Sequence, residues 1–552
     1  MNRVVLLRRG NDTVEARERS GDGAVVRDVR LGVAGLPDFV RERERAPVRW
    51  VWDDTTRWYP SLLAAGVRIE RCRDLRLSHA VLRRSPFVDQ VLLSGDDSPG
   101  WDALLPVTAA APALFPLDDP ADLLDAPAEY ERQQRALDAS AERARLGLLL
   151  AAESSGALVA AEMTAAGLPW RADVHERLLT ELLGPRPATG QRPAALEQLL
   201  AEIRAAFGKP ELNPDSPTGL LRDLQAAGLA VSDTRSWTLE QLEHPGIPAL
   251  LEYKKLSRLL QANGWNWLDA WVRGGRFRSY FLPGGVVTGR WASNGGGALS
   301  VPTQIRPAAV ADDGWQFVVA DVAQLEPRVL AGMSHDEAMA EAARSTDLYA
   351  GMVASGAVAT RAEAKVGMLG AMYGATRGES GRMMPRLTRS YPRAIGLVEE
   401  AARAGERGEV VHTLLGRGSP VPGGRAERPD EPGEPPDAGE SGEDRDRHRR
   451  AWGRFTRNFV VQGTGAEWAL CWLADLRNRL WRLGSTGTAS QRPHLVFFLH
   501  DEVVVHTPEH LADEVVEEVR RAAAEAGRLL FGTFPIDFPL DVSRVRSWAD
   551  AD

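Results

Sequence analysis

The sequence predicts a multidomain protein of mixed α/β (α+β) class, and three observations lead there. At 552 residues the chain is too long for one compact core, so roughly two to four domains are expected. Long segments place apolar residues at every third or fourth position, which is the helical period. Short apolar strands interrupt them, and two of these end in acids: QFVVAD at Asp321 and LVFFLHDE at Asp501 and Glu502.

Along the chain, residues 1–135 read as a small α/β unit. VRWVWDD (Val48–Asp54) reads as a strand and RDLRLSHAVLRR (Arg73–Arg84) as a helix. The Pro/Asp-rich PLDDPADLLDAPAE closes this region as a linker. Helical spacing runs from Glu131 to Gly184 and again from Trp237 to Trp271. The apolar stretch Leu146–Leu168 carries Glu153 and Glu162, so it reads as a helix with a buried face, not a membrane span. Gly284–Arg306 is glycine-rich and irregular. Trp315–Asp321 is a strand, Gln324–Met333 a helix, and helices fill Glu337–Glu409. Ser419–Arg447 is rich in Pro, Gly and acids and is expected to be disordered. Helix resumes over Trp452–Leu483, and His494–Thr507 forms two strands around a tight turn. There are no internal repeats.

Composition excludes some classes. Two cysteines, Cys72 and Cys471, cannot build a disulfide framework or a four-ligand zinc site, which fits a cytoplasmic protein. The opening MNRVVLLRRGND has too short an apolar run for a signal peptide. The net charge of −9 does not by itself suggest a nucleic-acid partner. The charge is segregated, however. Arg361–Arg417 holds ten Lys/Arg against six Glu, whereas Ser419–Arg447 holds nine acids against four Arg. Lys365 stands out as one of only four lysines.

Asp321 follows a strand and precedes a helix, where Asp also serves as an N-cap. Asp501 and Glu502 sit at a hairpin turn, which Asp favours for its own reasons. As a pair, Asp321 and Asp501 could hold two Mg²⁺ ions, with the Val322 carbonyl as a further ligand. Mn²⁺ is the alternative ion. Arg361, Lys365, Leu369 and Tyr373 recur every four residues and so share a helix face. That face suits a nucleotide, with phosphates at the cations and the base further on, and Lys365 could protonate a leaving pyrophosphate. A solvated basic stripe is the alternative. Arg290 lies in a glycine-flanked loop, VVTGRWAS. Arg454, Asn458 and Gln462 lie on one helix face and suit phosphates and minor-groove acceptors, unless they are ordinary surface residues.

Together these segments resemble the family A DNA polymerases, the bacterial DNA polymerase I family. VVADVAQLEPR is similar to the family's first palm motif, RAEAKVGMLGAMYG to its fingers helix, and LHDE to its third motif; TGRW, VVHTLLGR and RNFVVQGTGAEW follow the same order. The resemblance runs from about Leu146 to the C-terminus, and includes the short exonuclease/polymerase type found in actinobacteria. It implies a right-hand fold: an antiparallel-sheet palm (286–335 with 452–552), helical fingers (336–418) and a thumb (141–285), with an insert at 419–450. It implies Asp321 and Asp501 as metal ligands with Glu502 beside them. Gln324 and Glu326 would face the dNTP, Glu326 as the steric gate under the sugar. Arg361 and Lys365 would hold the triphosphate, and Leu369 and Tyr373 would border the nucleotide. Arg290, Arg454, Asn458, Gln462 and His500 would contact primer–template DNA.

The chain departs from the family pattern at several positions. Leu369 stands where the family has Phe or Tyr, Val322 and Ala323 replace Tyr-Ser, Pro327 replaces Leu, and Tyr349 stands where a phosphate-binding His often lies. Residues 1–135 resemble a truncated, RNase H-like 3′–5′ exonuclease domain. They lack its strand-borne D-x-E, and Tyr130 is followed four residues later by Gln134 instead of Asp, so an inactive scaffold is expected. No 5′-nuclease domain is expected ahead of it. The expected whole is a monomeric Mg²⁺- and dNTP-dependent DNA polymerase of repair or gap filling, acting at the nucleoid, with no membrane partner. The rivals are a catalytically weak DNA-binding accessory protein, an active exonuclease and a single-subunit RNA polymerase.

Overall fold

The computed structural model describes residues 1–551 apart from 10–11, 22, 104–123, 295–296, 298–300, 375–377, 423–441 and 485–490. It divides into two compact units. The larger comprises Met1–Ala166, Tyr280–Asn294 and Gly314–Arg544.

Its N-terminal part is a five-stranded sheet built from β1 (Asn2–Arg8), β2 (Thr13–Arg19), β3 (Val25–Gly32), β4 (Val48–Trp52) and β5 (Cys72–Asp74), in the order β3-β2-β1-β4-β5. The first three form an antiparallel meander, and β4 and β5 run parallel to β1. Period-two alternation sorts the side chains. Val4, Leu6, Trp50 and Trp52 enter one core, while Val5, Leu7 and Val51 enter another with Tyr130. The strand expected at Val48–Asp54 is present as β4. The helix expected at Arg73–Arg84 is shorter, Leu75–Leu82, because Cys72–Asp74 pairs as a strand first. The stretch read as a linker already contains the start of helix Ala126–Ala139, N-capped by Asp125, so that expectation is corrected from Ala126 onward.

A second, four-stranded sheet lies further along, in the order His494–Leu499, Glu502–Pro508, Trp315–Val322, Leu540–Val545. The antiparallel register sets Asp321 opposite Glu502 and Trp315 opposite Pro508. Helices Gly442–Leu483 and Ala512–Phe531 belong to the same unit, and Trp472 Nε1 of the first donates to the Val519 carbonyl of the second at 3.2 Å.

The first of these helices begins ten residues before the expected Trp452, inside the segment expected to be disordered. After Gly442 that segment has no Pro or Gly until Gly453 and is full of Glu, Arg and Asp. A high charge density marks solvation, and it is equally compatible with an exposed helix. At the other end of that segment Ser419 is buried and its amide donates to the Val411 carbonyl at 2.8 Å, so the expectation is corrected there too, while 423–441 lies outside the described residues.

Between the two halves of this sheet come helices Glu337–Ala343, Leu348–Ala354, Arg361–Tyr373, Gly378–Ser390 and Pro392–Glu406. The third is N-capped by Thr360, whose Oγ1 accepts from the Glu363 amide at 3.2 Å, and the Glu363 carboxylate reaches back to accept from the Ala359 amide at 2.9 Å. It ends at Gly374, whose φ of 76° is left-handed.

Helix Arg143–Ala166 is apolar nearly all round. Leu146, Leu149 and Leu150 fill one core and Leu158 another. By length and composition it could cross a membrane, yet 67% of its apolar window is buried within the structure. It therefore clusters with the larger unit and not with the segment 141–285 in which the sequence reading placed it.

The smaller unit comprises Gly167–Ser279, Gly295–Asp313 and Val545–Asp552. It is largely helical, with Trp170, His175, Trp267 and Phe277 packed ring against ring.

Candidate active site

Asp321 is the last residue but one of the apolar strand Trp315–Val322, and Asp501 sits in the two-residue turn joining the neighbouring hairpin. The Val322 amide donates to the Asp501 carbonyl at 3.1 Å, which locks the two segments together. Both places carry unusual backbone. His500, the first residue of the turn, has φ 56°, and Gln324, just after Asp321, has φ 50°. Neither is glycine, so both conformations cost energy that the surrounding packing must offset, a pattern concentrated at functional sites. The Gln324 side chain is held where its Oε1 accepts from the Leu348 amide at 3.1 Å.

The electrostatics favour a cation here. Burial, then the charges of Asp501, Glu502 and Asp541, push the Asp321 pKa up to about 7. Asp501 is pushed up to about 6, mainly by burial; Arg290 opposes the shift, and Glu326 and Glu502 add to it. Among the described residues no ion pair reaches either carboxylate, although buried acids elsewhere in this unit, such as Asp54 and Glu153, are paired with arginine. Two hard oxygen donors crowded by like charge, with no arginine consumed, are a donor set that fits Mg²⁺ or Mn²⁺. Among the described residues no three His, Cys, Asp or Glu side chains converge as a self-sufficient metal cage, so the remaining ligands would have to be backbone or substrate oxygens. Asp541 was missed by sequence reasoning, since nothing in LDVSRV marks it apart from ordinary strand alternation.

A cleft opens beside these acids, lined in part by Arg290, Gln324, Glu326, Tyr349, Leu369 and His500. Glu326 is its hub. It accepts from Arg290 Nη2 at 2.5 Å and from the Tyr373 hydroxyl at 2.8 Å. Gln462 lies beside that hydroxyl. Leu369 and Tyr373 are exposed, at 37% and 39%, and Arg361 and Lys365 are exposed on the same helix face. Arg361 Nε donates to Asp347 at 2.5 Å, and its guanidinium lies 5.7 Å from the Tyr349 ring centroid. Burial and the Arg290 charge lower the His500 pKa to about 4, so the ring is neutral at pH 7.

Arg454 is exposed, and its side chain lies where a Cβ on Gly374 would fall, so the glycine is needed for space as well as for φ. The Asn458 Oδ1 is buried without a partner. Beneath the site, sequence reasoning also missed Arg328, which is fully buried. It donates to the carbonyls of Ala323, Ala343, Ser345, Thr346 and Asp537 at 2.5–3.0 Å.

The sequence model of DNA polymerase family A matches residues 189–550, roughly two thirds of the chain. The chain belongs to DNA polymerase family A. Among curated members, "DNA polymerase I, thermostable" of Thermus thermophilus is 28% identical over 428 residues, covering 68% of this chain and 47% of the relative. That of Thermus aquaticus is 27% identical, covering 73% and 50%. DNA polymerase I of Chloroflexus aurantiacus is 26% identical, covering 63% and 36%. This family A chain thus spans half or less of the length of these relatives. Its fold is similar to that of the POL domain of Pol1 from M. smegmatis, solved in complex with DNA primer-template and dNTP. The TM-score is 0.68 at 20% identity, and the match covers 100% of this chain and 96% of that one. The family A polymerase fold therefore extends over this chain. Asp321, Asp501, Glu502, Glu326, Leu369 and Tyr373 all fall within the residues matched by the family.

Proposed function

We propose that this chain is a DNA-directed DNA polymerase that adds dNMP units from dNTPs to a primer 3′-hydroxyl. The observation that carries the reading is the acid couple Asp321 and Asp501, without an ion-pair partner among the described residues, beside a cleft whose lining includes Leu369 from the Arg361–Tyr373 helix. Two bound divalent metals would lower the pKa of the attacking hydroxyl and offset the charge of the leaving pyrophosphate. Asp321, Asp501 and the Val322 carbonyl would hold them, with Glu502 adjacent.

The other steps belong to side chains. Arg361 and Lys365 bind the triphosphate; Arg361 exchanges its Asp347 partner for phosphate oxygens, and Lys365 donates a proton to the leaving pyrophosphate. Glu326, clamped by Arg290 and Tyr373, sits under the sugar and excludes a 2′-hydroxyl. Gln324 supports the same pocket. Leu369, with no aromatic ring to pack on the sugar, leaves that selection weaker. Arg454 takes DNA phosphate, while Asn458, Gln462, Arg290 and the neutral His500 take minor-groove and backbone atoms of the primer–template. In this reading the smaller unit contributes the thumb, residues 336–418 the fingers, and the Asp321 sheet the palm. The protein works as a cytoplasmic, nucleoid-associated monomer in repair or gap filling.

The N-terminal sheet is read as a degenerate RNase H-like exonuclease domain, a reading its mixed five-stranded order supports. The state of its acids favours inactivity. Asp53 is taken by Arg57 and Trp58. Asp54 pairs with Arg76 and accepts from the Thr56 amide at 2.7 Å. Asp74 accepts from the amides of Thr55 and Leu77 at 2.7 and 2.9 Å. Carboxylates used as caps and ion-pair partners are not available to a two-metal site.

The test is extension of a labelled primer on a longer DNA template with Mg²⁺ and either dNTPs or rNTPs, comparing wild type with Asp501→Ala. Extension with dNTPs that the substitution abolishes is expected. A folded, DNA-binding wild type that extends nothing would make the accessory-protein reading the better one.

A further inference from the structure

A buried guanidinium needs acceptors for its N–H groups, carboxylates or carbonyls, because lost hydration is otherwise not offset. The N-terminal domain meets that need in most places: Arg57 pairs with Asp53, and Arg76 with Asp54. One cluster is the exception. Arg73 on β5 is 5% exposed, and its Nε and Nη1 are buried with no hydrogen-bond partner. The Arg49 Nε on β4 is buried and unpartnered too.

Register places a third arginine beside them. Arg3 on β1 is the direct parallel partner of Arg49. Arg73 is the partner of Val51, two residues beyond Arg49. Side chains alternate along a strand, so Arg3, Arg49 and Arg73 share one face, that of Val5, Val51 and Tyr130. Among the described residues none of the three forms an ion pair. Burial, then Arg49 and Arg3, press the Arg73 pKa down to about 10, with no carboxylate among its chief influences. Arg3 and Arg49 are only partly buried, so the cluster is reachable from solvent.

We propose that Arg3, Arg49 and Arg73 form a phosphate-binding site on the N-terminal domain. Three guanidinium groups with spare N–H donors and no counter-ion suit a doubly charged, multi-oxygen anion. The source is either free phosphate or the backbone of single-stranded nucleic acid. The site does not depend on the polymerase reading, since none of its residues lies in the Asp321 cleft.

The full chain in metal-free, low-salt buffer is titrated calorimetrically with inorganic phosphate and, separately, with a short oligothymidylate. Wild type is compared with Arg3→Gln and Arg49→Gln, whose partly exposed positions tolerate the change. Phosphate binding weakened about tenfold or more by either substitution is expected, and identifies a small-anion site. If phosphate does not bind but a component of oligothymidylate binding is lost in the same variants, the backbone is the ligand and the site stands. No binding of either probe, or binding that both substitutions leave unchanged, overturns it. Thermal unfolding without phosphate is the second measurement. Arg49→Gln should melt at or above wild type because repulsion is relieved, and a clearly lower melting temperature would show the arginines already neutralised and refute the proposal.

Discussion

Replacing Arg328 with Met removes the one cation that ties five backbone carbonyls together under the candidate active site. Those carbonyls belong to Ala323, Ala343, Ser345, Thr346 and Asp537, at 2.5–3.0 Å. Burial lowers the Arg328 pKa only to about 10, so the side chain stays charged at pH 7 and the full set of bonds is present. A hydrogen bond to a charged group contributes about 1.5–3 kcal/mol net. The five bonds share one guanidinium and form one network, so these contributions do not add in full. The net loss expected for Arg328→Met is therefore about 3–5 kcal/mol, the range for breaking a buried polar network. Met fills most of the volume, so the cavity contribution is small. Urea unfolding followed by tryptophan fluorescence measures it, and Arg328→Lys, with fewer donors in a less suitable shape, should fall between. Catalysis should drop as well, because Ala323 lies two residues from Asp321. A loss below about 1 kcal/mol for Arg328→Met would refute the reasoning, by showing that the carbonyls find other donors.

Three further outcomes follow from the site and its supports. Asp321, raised to about 7, holds a proton that a metal must displace, so metal affinity should weaken by about an order of magnitude between pH 8 and pH 6; a flat profile by Mn²⁺ titration would contradict this. Buried Glu467, which accepts from Thr413 and from the Leu415 amide, is pushed by burial to about 7. The folded state therefore binds more protons than the unfolded one between about 4.5 and 7, and stability falls as pH rises through that window. Glu467→Gln should match wild type near pH 5 and exceed it by up to about 3 kcal/mol at pH 8 in urea melts, and equal curves at both pH values would count against the shift. Thr360→Ala removes the N-cap of the Arg361–Tyr373 helix at a cost of about 1 kcal/mol. In primer extension it should raise the KM for dNTP more than it lowers kcat, while an unchanged KM would argue that this helix end does not hold the nucleotide.

Taken alone, the sequence determined the local features. Asp321 and Asp501 were legible because each interrupts an apolar run, and a carboxylate there must have a reason. The four-residue spacing from Arg361 to Tyr373 was legible because one helix face follows directly from backbone geometry. The same local logic misread Gly442–Arg450, since a dense run of charge is compatible with an exposed helix as well as with disorder. It also passed over the N-terminal meander, whose polar β3 carries little apolar alternation.

Only the tertiary structure decided what depends on distant segments meeting. It brings Asp541 close enough to raise Asp321, and joins Glu326 to both Arg290 and Tyr373. It places helix Arg143–Ala166 with the larger unit, because an all-round apolar helix goes wherever most apolar surface closes on it. It leaves Arg73 buried without a carboxylate while Arg57 and Arg76 have theirs. Pairing and burial are properties of the folded neighbourhood, and residues far apart in the chain carry no mark of which neighbours they will have.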